Sequence, residues 1–417
     1  MLLISATVIS SISFSIKSEE AEQMVARNEL SFSHPDPIVA PSTEGYILSI
    51  LSETAASHFF AESELSSGNV GKRNLHLTLE SGVVLGASSV PAIYDAAKND
   101  ILSGTYTYDL YAASGRELSR LLSKDLLCDI SDNHYIDTDD AWFDATLTNS
   151  LKVLGKQYFL SSSITDTYKD VYVLAYNPEL CDENALVSAA KDGSLTLEKV
   201  LAYQKEGISP IDMSEGDVFP LFNALGGSFA NAADSLLITP FEEFNSGIKA
   251  LSPLSSLEVA SFENGEVPFA VMTLEEVKQY KKNGVSVGFL PLPKATAKAD
   301  YRSYINVGNA VFIALPKEHP KLDTVSYIVH RLAFLSHGYT LPSYYESLNA
   351  TNKEMLEIIY ENIVFDISAL FGYGEIDTLV ADIFCGKETR PALRYYNRKA
   401  LYEKAFEIIE TRVNKEN

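Results

Sequence analysis

Apolar residues in this chain follow two patterns. From Val171 to Tyr176 they form a near-continuous run bounded by polar residues, as in a strand buried on both faces. In 116–127 they sit at Leu118, Leu121 and Leu122, the i, i+3, i+4 spacing of an amphipathic helix. Tyr106 to Ala112 reads as a strand leading into that helix through the Ser114-Gly115 turn. Further upstream, an apolar run between Glu44 and Phe60 predicts a helix, Arg73 to Leu79 alternates like a strand, and Val83 to Leu85 is a strand core. Pro91 to Leu102 has helical spacing through Ile93, Ala96, Ala97 and Ile101.

Val153-Leu154, Gly155-Lys156 and Gln157 to Leu160 predict a tight hairpin. Residues 196–205 predict a helix capped by Thr196, with Glu198 in its first turn where the dipole favours a negative charge. Strand patterns return in FENGEVPFAVMT from Phe262, in VSVGFLPLPK from Val285, and from Tyr304 to Leu315. Leu332 and Leu335, then Leu356, Ile359 and Ile363, then Leu401, Ala405, Ile408 and Ile409 mark three later helices. Strands alternating with helices, a return to strands and a helical tail predict an α/β protein of two lobes. With the late strands completing the first lobe, both lobes are discontinuous. Lobe 1 is then 43–165 plus 262–312, and lobe 2 is 166–261 plus 313–417.

The length of 417 residues suits two domains. A formal net charge of −23 repels phosphate backbones and anionic lipids, which sets nucleic-acid binding aside. Solubility, or docking to a basic partner, accounts for it. Cys128, Cys181 and Cys385 form no CxxC or Cys/His cluster, so no structural zinc is expected. At most one disulfide can form, leaving one thiol over. The opening MLLISATVISSISFS has the length of a signal-peptide core and is too short and Ser-rich to span a bilayer. It lacks a leading Lys or Arg and a following Cys, so 1–42 reads as a degraded export signal and a linker carrying Pro35, Pro37 and Pro41. The alternative is a buried first strand or helix.

Catalytic motifs are absent: there is no HExxH and no GxSxG. Ser66 to Arg73 lacks the first glycine and the closing Ser or Thr of a P-loop. Gly372-Tyr373-Gly374 lacks the third glycine of a dinucleotide fingerprint. Counting an EF-hand loop from Asp137 puts Trp142 and Thr148 where Gly and a carboxylate are required, so Asp137, Asp139, Asp140 and Asp144 read as a solvated loop. His330 and His337 read as core or surface histidines. No metal or cofactor is expected.

Polar-ligand chemistry fits better. Trp142, the only tryptophan, lies between Asp140 and Asp144. An indole stacks on the C–H face of a sugar and carboxylates accept its hydroxyls. The competing reading of Trp142 is a hydrophobic anchor of the helix beside it. Tyr168, Tyr172, Tyr344 and Tyr345 stand at predicted element ends. Ser114-Gly115 opens a helix, where free N–H groups could meet a ligand oxygen.

YDLYAAS with its helix ending in LLCDIS, AWFDATLTNSLKVLGKQYFLSSS before VYVLAYNPEL, DGSLTLEKV, LFNALGG, FENGEVPFAVMTLEEV and VGFLPLPKA together resemble the family 1 extracellular solute-binding proteins. The resemblance spans 75–409 and is closest in character to members from gut Firmicutes, where a Tyr-Tyr pair precedes a helix like NKEMLEIIYENIVFD. It implies a type II periplasmic-binding-protein-like fold, two α/β lobes joined by a hinge with a sugar held between them, and no catalytic residues. Ligand contacts to both lobes would favour the closed state. The resemblance further implies a monomer at the outer face of the cell membrane that delivers its carbohydrate to ABC permease subunits. Its ligand residues map to Ser114, Gly115, Trp142, Tyr172, Gly226, Gly227, Met272 and Thr273, to which residue chemistry adds Asp144 and Tyr344. Relatives carry Trp-Trp where this chain has Trp142-Phe143 and a Trp at Leu195, and they have a lipid-anchor cysteine. These departures keep a second reading in view, a diverged surface or interaction protein on the same scaffold. A third, a hydrolase, requires two carboxylates facing each other at glycosidase separation.

Overall fold

The computed structural model describes residues 46–53, 84–140, 142–143, 145–162, 165, 167–337, 348–373 and 375–413. The expected export signal and linker, the 73–79 strand, Asp144, Tyr344 and Tyr345 lie outside them. The strands are β1 (Ile47–Glu53), β2 (Val84–Val90), β3 (Leu110–Ser114), β4 (Tyr172–Tyr176), β5 (Ile211–Asp212), β6 (Ala230–Asn231), β7 (Leu237–Ile238), β8 (Phe269–Thr273), β9 (Gly288–Leu290), β10 (Ser303–Tyr304), β11 (Val311–Ala314) and β12 (Ile363–Val364). The helices are α1 (Tyr94–Ser103), α2 (Gly115–Leu122), α3 (Ala145–Ser150), α4 (Glu183–Lys191), α5 (Leu197–Leu201), α6 (Val218–Ala224), α7 (Phe241–Ser255), α8 (Leu274–Lys282), α9 (Leu322–His337), α10 (Ala350–Glu361), α11 (Ile367–Phe371), α12 (Ile376–Phe384) and α13 (Pro391–Val413).

The chain divides into two compact units. Unit 1 is Met1–Asp166 with Val311–Ser347, and unit 2 is Thr167–Ala310 with Leu348–Asn417. This corrects the expected lobe boundaries. The late strands β8 and β9 do not complete unit 1. Both pair antiparallel with β4, Tyr172 opposite Thr273 and Leu174 opposite Leu290. It is β11 that returns to unit 1, antiparallel to β3 with Val311 opposite Ser114. The expected single strand from Tyr304 to Leu315 is therefore two: β10 pairs with β12, and β11 with β3. Between them Gly308 passes so close to the Ala369 carbonyl that a Cβ would collide with it.

In unit 1 the sheet order is β11-β3-β1-β2, with β1 parallel to both its neighbours. The first apolar run is thus a strand and not the expected helix. Flanked by strands on both edges, it buries Leu48 and then Ile50, Leu51 and Ser52 in succession, which erases the alternation that would mark a half-exposed strand. The helix expected over 116–127 ends at Leu122, because Asp125 takes a left-handed φ of 59°. The predicted hairpin at 153–160 is a tight turn closed by a Val153–Lys156 bridge, with Leu154 and Gly155 both at positive φ. The core joins Leu48 and Ile50 of β1 to Leu110 and Ala112 of β3 and to Val325, Val329 and Leu332 of α9.

In unit 2 the sheet order is β5-β8-β4-β9. Thr196 caps α5 as expected, accepting the Lys199 N–H at 3.4 Å. The long α13 buries Tyr395, Tyr402, Phe406, Ile409 and Val413. Its Tyr395 ring lies 5.0 Å from Phe244 and 5.7 Å from Phe229, forming an aromatic core.

Candidate functional site

Open α/β sheets bind ligands at the carboxyl ends of their parallel strands, where helix N-termini gather. Each unit is considered at that edge.

In unit 2, β5 and β8 run parallel and β4 runs against them. The residues at this edge are therefore Thr273 at the end of β8 and Tyr172 at the start of β4, while Asp212, which ends β5, pairs three residues earlier on β8, opposite Ala270. Tyr172 and Thr273 are direct cross-strand partners, and Met272 is opposite Val173. Met272 is buried. Thr273 caps α8: its Oγ1 accepts the Glu276 N–H at 3.2 Å, and Glu276 Oε2 accepts the Thr273 N–H at 2.7 Å. Asp217 fastens the turn before α6, accepting from the Ser214 N–H and hydroxyl at 2.9 and 2.5 Å. Burial pushes the Asp217 carboxyl up, with the like charges of Glu276 and Asp212 adding to it, against the hydrogen bonds from Ser214. Burial, with the negative charges of Asp217, Glu276 and Asp170, also pushes the Tyr172 hydroxyl up, so it remains a hydrogen-bond donor at neutral pH. Behind Tyr172 the Tyr304 ring lies 6.1 Å away, with Phe219 edge-on to it at 5.6 Å. The edge thus combines an aromatic wall, a phenolic donor and the carboxylates of Asp217 and Glu276.

Gly226 and Gly227 have a packing role. Gly226, at φ 95°, turns the chain out of α6. A Cβ on Gly227 would run into the Phe222 ring.

In unit 1, Ser114 ends β3 and stands half-buried at the N-terminus of α2 without capping it through its side chain, and Gly115 is the first helical residue. Tyr94 opens α1 just beyond β2. Glu117 joins the two helices: its Oε2 accepts the Tyr94 N–H at 3.1 Å and its Oε1 meets Arg120 at 2.5 Å. The Arg120 guanidinium lies over the Tyr94 ring, 4.2 Å from its centroid.

Trp142 is partly buried against the unit 1 core, its indole edge-on to His330 at 5.1 Å. The anchor reading describes this packing. His330 is a core residue, fully buried. Nearby, a depression of about 670 Å³ is lined by Asp132, His134, Asp137, Thr138, Asp139 and Lys152, among others.

Among the predicted site residues, the fold brings Tyr172, Met272 and Thr273 together at one edge and sets Ser114 and Gly115 at another. Sequence reading missed Asp212, Asp217, Glu276, Tyr304 and Tyr94. The available signals were capping spacings, Ser214 to Asp217 and Thr273 to Glu276, which place carboxylates at helix starts. All three cysteines are free thiols. Among the described residues no group of three or more His, Cys, Asp or Glu could hold a metal, and no helix is long and apolar enough to cross a membrane.

Neither a protein-family model nor a curated protein matches the chain. Solved structures do. The GacH receptor of Streptomyces glaucescens, studied unliganded and with acarbose or an acarbose homolog, superposes with a TM-score of 0.54 at 16% identity, covering 87% of this chain and 99% of the receptor. A cyclo/maltodextrin-binding protein complexed with maltotetraose superposes with a TM-score of 0.56 at 16% identity, covering 91% of this chain and 99% of that protein. The chain has the α/β fold of these proteins, the type II periplasmic-binding-protein-like fold expected from its sequence.

Proposed function

We propose that this chain is a solute-binding protein that captures a sugar or oligosaccharide outside the cell and hands it to an ABC permease, and that it is not an enzyme. Two of its structural neighbours were solved with saccharides, the GacH receptor with acarbose and the cyclo/maltodextrin-binding protein with maltotetraose. The observation that carries the reading is the unit 2 sheet edge, where Tyr172 stands opposite Thr273 with Asp217 and Glu276 close enough to raise its pKa. Sugars need an aromatic face for their C–H surface and acceptors for their hydroxyls, and this edge offers both. In unit 1, the start of α2 at Gly115 offers helix N-terminal N–H groups of the opposite polarity. Asp217 and Glu276 are each held in a helix-capping arrangement, which suits fixed acceptors better than groups that must give up and regain a proton.

Isothermal titration calorimetry against glucose, maltose, maltotetraose and acarbose tests this directly. Saturable binding to at least one saccharide, weakened by Tyr172→Ala, is expected. An absence of heat across a broad saccharide panel would defeat the sugar reading and leave the scaffold reading in its place.

A further inference from the structure

The charge at the unit 2 sheet edge is one-sided. The Leu274 N–H donates to the Val171 carbonyl at 3.0 Å, which seats the first turn of α8 beside Tyr172. Glu276 stands exposed in that turn. The Tyr304 ring links Tyr172, 6.1 Å away, to Phe219 of α6, 5.6 Å away. Asp217, half-buried, immediately precedes α6. Burial first, and then the charges of Asp217 and Glu276, hold the Tyr172 hydroxyl above its ordinary range, in keeping with that placement.

Other charges around this edge are neutralised. Glu275 pairs with Lys278 at 3.4 Å and Glu215 with Lys387 at 2.5 Å. Lys169 and Asp170, adjacent on the turn Thr167–Asp170, cancel in formal charge. Asp217 spends Oδ2 on the Ser214 N–H and hydroxyl, and Glu276 spends Oε2 on the Thr273 N–H and hydroxyl at 2.7 and 2.8 Å. Among the described residues neither Asp217 nor Glu276 forms an ion pair, and Asp217 Oδ1 and Glu276 Oε1 accept no hydrogen bond. Nor do the described residues offer a group of three or more metal-ligating side chains there, which points to an organic cation. We propose that this edge selects saccharides carrying a protonated amino group over their neutral counterparts. This selection rests on the sugar reading of the same edge and adds the ligand's charge to it.

A neutral sugar laid on Tyr172 strips water from two carboxylates and returns only hydroxyl donors. An ammonium returns a charge as well, and a charge-assisted hydrogen bond is roughly twice as strong as a neutral one. The capping bonds already hold both carboxylates, so little side-chain freedom is lost when the amine arrives. The Tyr172 ring needs the C–H face of a sugar, so an amine without a ring meets only half of the site.

The test is calorimetric titration of the full chain at about pH 6 with β-1,4-linked tetramers that differ only at C2. Cellotetraose carries a hydroxyl there, the glucosamine tetramer an amine and the N-acetylglucosamine tetramer a neutral amide. Glucose, glucosamine, maltotetraose and spermidine are titrated beside them. At low salt the amine-bearing member is expected to bind about 10-fold more tightly than its neutral counterparts. Raising the salt from about 0.02 M to about 0.5 M should shrink that ratio to about 2-fold, because exposed charges are screened. Asp217→Asn with Glu276→Gln keeps an acceptor at each cap and removes both charges. In that variant, with folding checked by its thermal melt, the ratio should fall close to one. Neutral members binding as tightly as the amine, or a preference that neither salt nor the folded variant reduces, would overturn the selection and leave the sugar reading standing. Spermidine binding as tightly as the glucosamine tetramer would overturn the need for a sugar ring, and the selection with it. No heat from any saccharide would defeat the sugar reading and the selection together. The salt series needs no variant, so the proposal is decided even where the double substitution unfolds.

Discussion

At the base of the unit 1 sheet, His319 Nε2 lies 3.2 Å from Asp109 Oδ1. The Lys321 N–H donates to His319 Nδ1 at 3.2 Å, so Nε2 carries the hydrogen and donates to Asp109. The same carboxylate accepts the Tyr46 hydroxyl at 2.7 Å and the Ser49 N–H at 2.6 Å. One buried carboxylate thus ties the entry of β1, the entry of β3 and the link from β11 to α9. Asp109→Ala leaves three donors without their acceptor and is expected to cost about 3 kcal/mol. Urea unfolding followed by Trp142 emission reads it, because the only tryptophan is in unit 1. Asp109→Asn, which keeps an acceptor, should lose less.

Asp366 plays the matching part in unit 2. It is fully buried and accepts the Phe229 N–H, the Ala230 N–H at 3.2 Å, the Ser228 hydroxyl at 3.3 Å, and the Ser368 N–H and hydroxyl at 3.0 and 2.6 Å. It fixes the segment after Gly227 to the start of α11. Asp366→Ala should destabilise unit 2 by about 3–5 kcal/mol. Hydrogen exchange should show the loss first in the 228–230 amides.

Much of this architecture could be read from the chain, and the failures have identifiable causes. The apolar runs of β4 and β8 were legible as strands, but pairing is a tertiary property, so β8 and β9 were assigned to the wrong unit. β1 buries the consecutive residues Ile50, Leu51 and Ser52, so it lacks the alternation that marks a strand. In α13 the apolar spacing at Leu401 and Ile408 marks a helix but not its inner face: these residues are 55% and 48% exposed, while Tyr395 and Tyr402 are buried. Tyrosine is equally at home on a surface and in a core, so pattern alone cannot place it. At the candidate site, Tyr172 and Thr273 were legible as element ends. Asp217 is legible only as a capping spacing from Ser214, and its nearness to Tyr172 is a tertiary property. Trp142 is conspicuous in the sequence as the only tryptophan, and in the fold its indole packs on His330.

The glycine pair after α6 offers a test of packing. Gly227 and Gly247 both lie against the Phe222 ring, and a Cβ on Gly247 would come within 2.7 Å of Gly227 Cα. Phe222 is fully buried between Phe219 and Phe244, so it has little room to yield. Gly227→Ala should cost about 1–3 kcal/mol through overpacking, seen as a lower melting temperature in calorimetry. Gly104→Ala, with open space around its Cβ site, bears only the strain of a left-handed φ and should cost less.

The ligand face can be separated from the packing around it by three substitutions. Tyr172 offers a ring face and a protonated hydroxyl among carboxylates, so Tyr172→Ala should lower saccharide affinity by about 10–100-fold, equivalent to about 1–3 kcal/mol. Thr273→Ala removes the cap of α8, and its main effect should be on stability, about 1 kcal/mol. Trp142→Phe keeps an aromatic ring against His330 and should leave affinity unchanged while slightly lowering stability. Calorimetric titration of each variant, beside its thermal melt, distinguishes the roles. Should Trp142→Phe weaken binding as much as Tyr172→Ala, the sugar would have to touch unit 1 at the indole. Should Tyr172→Ala bind as well as the unmodified protein, the unit 2 sheet edge would not be the ligand face, whichever sugar is bound.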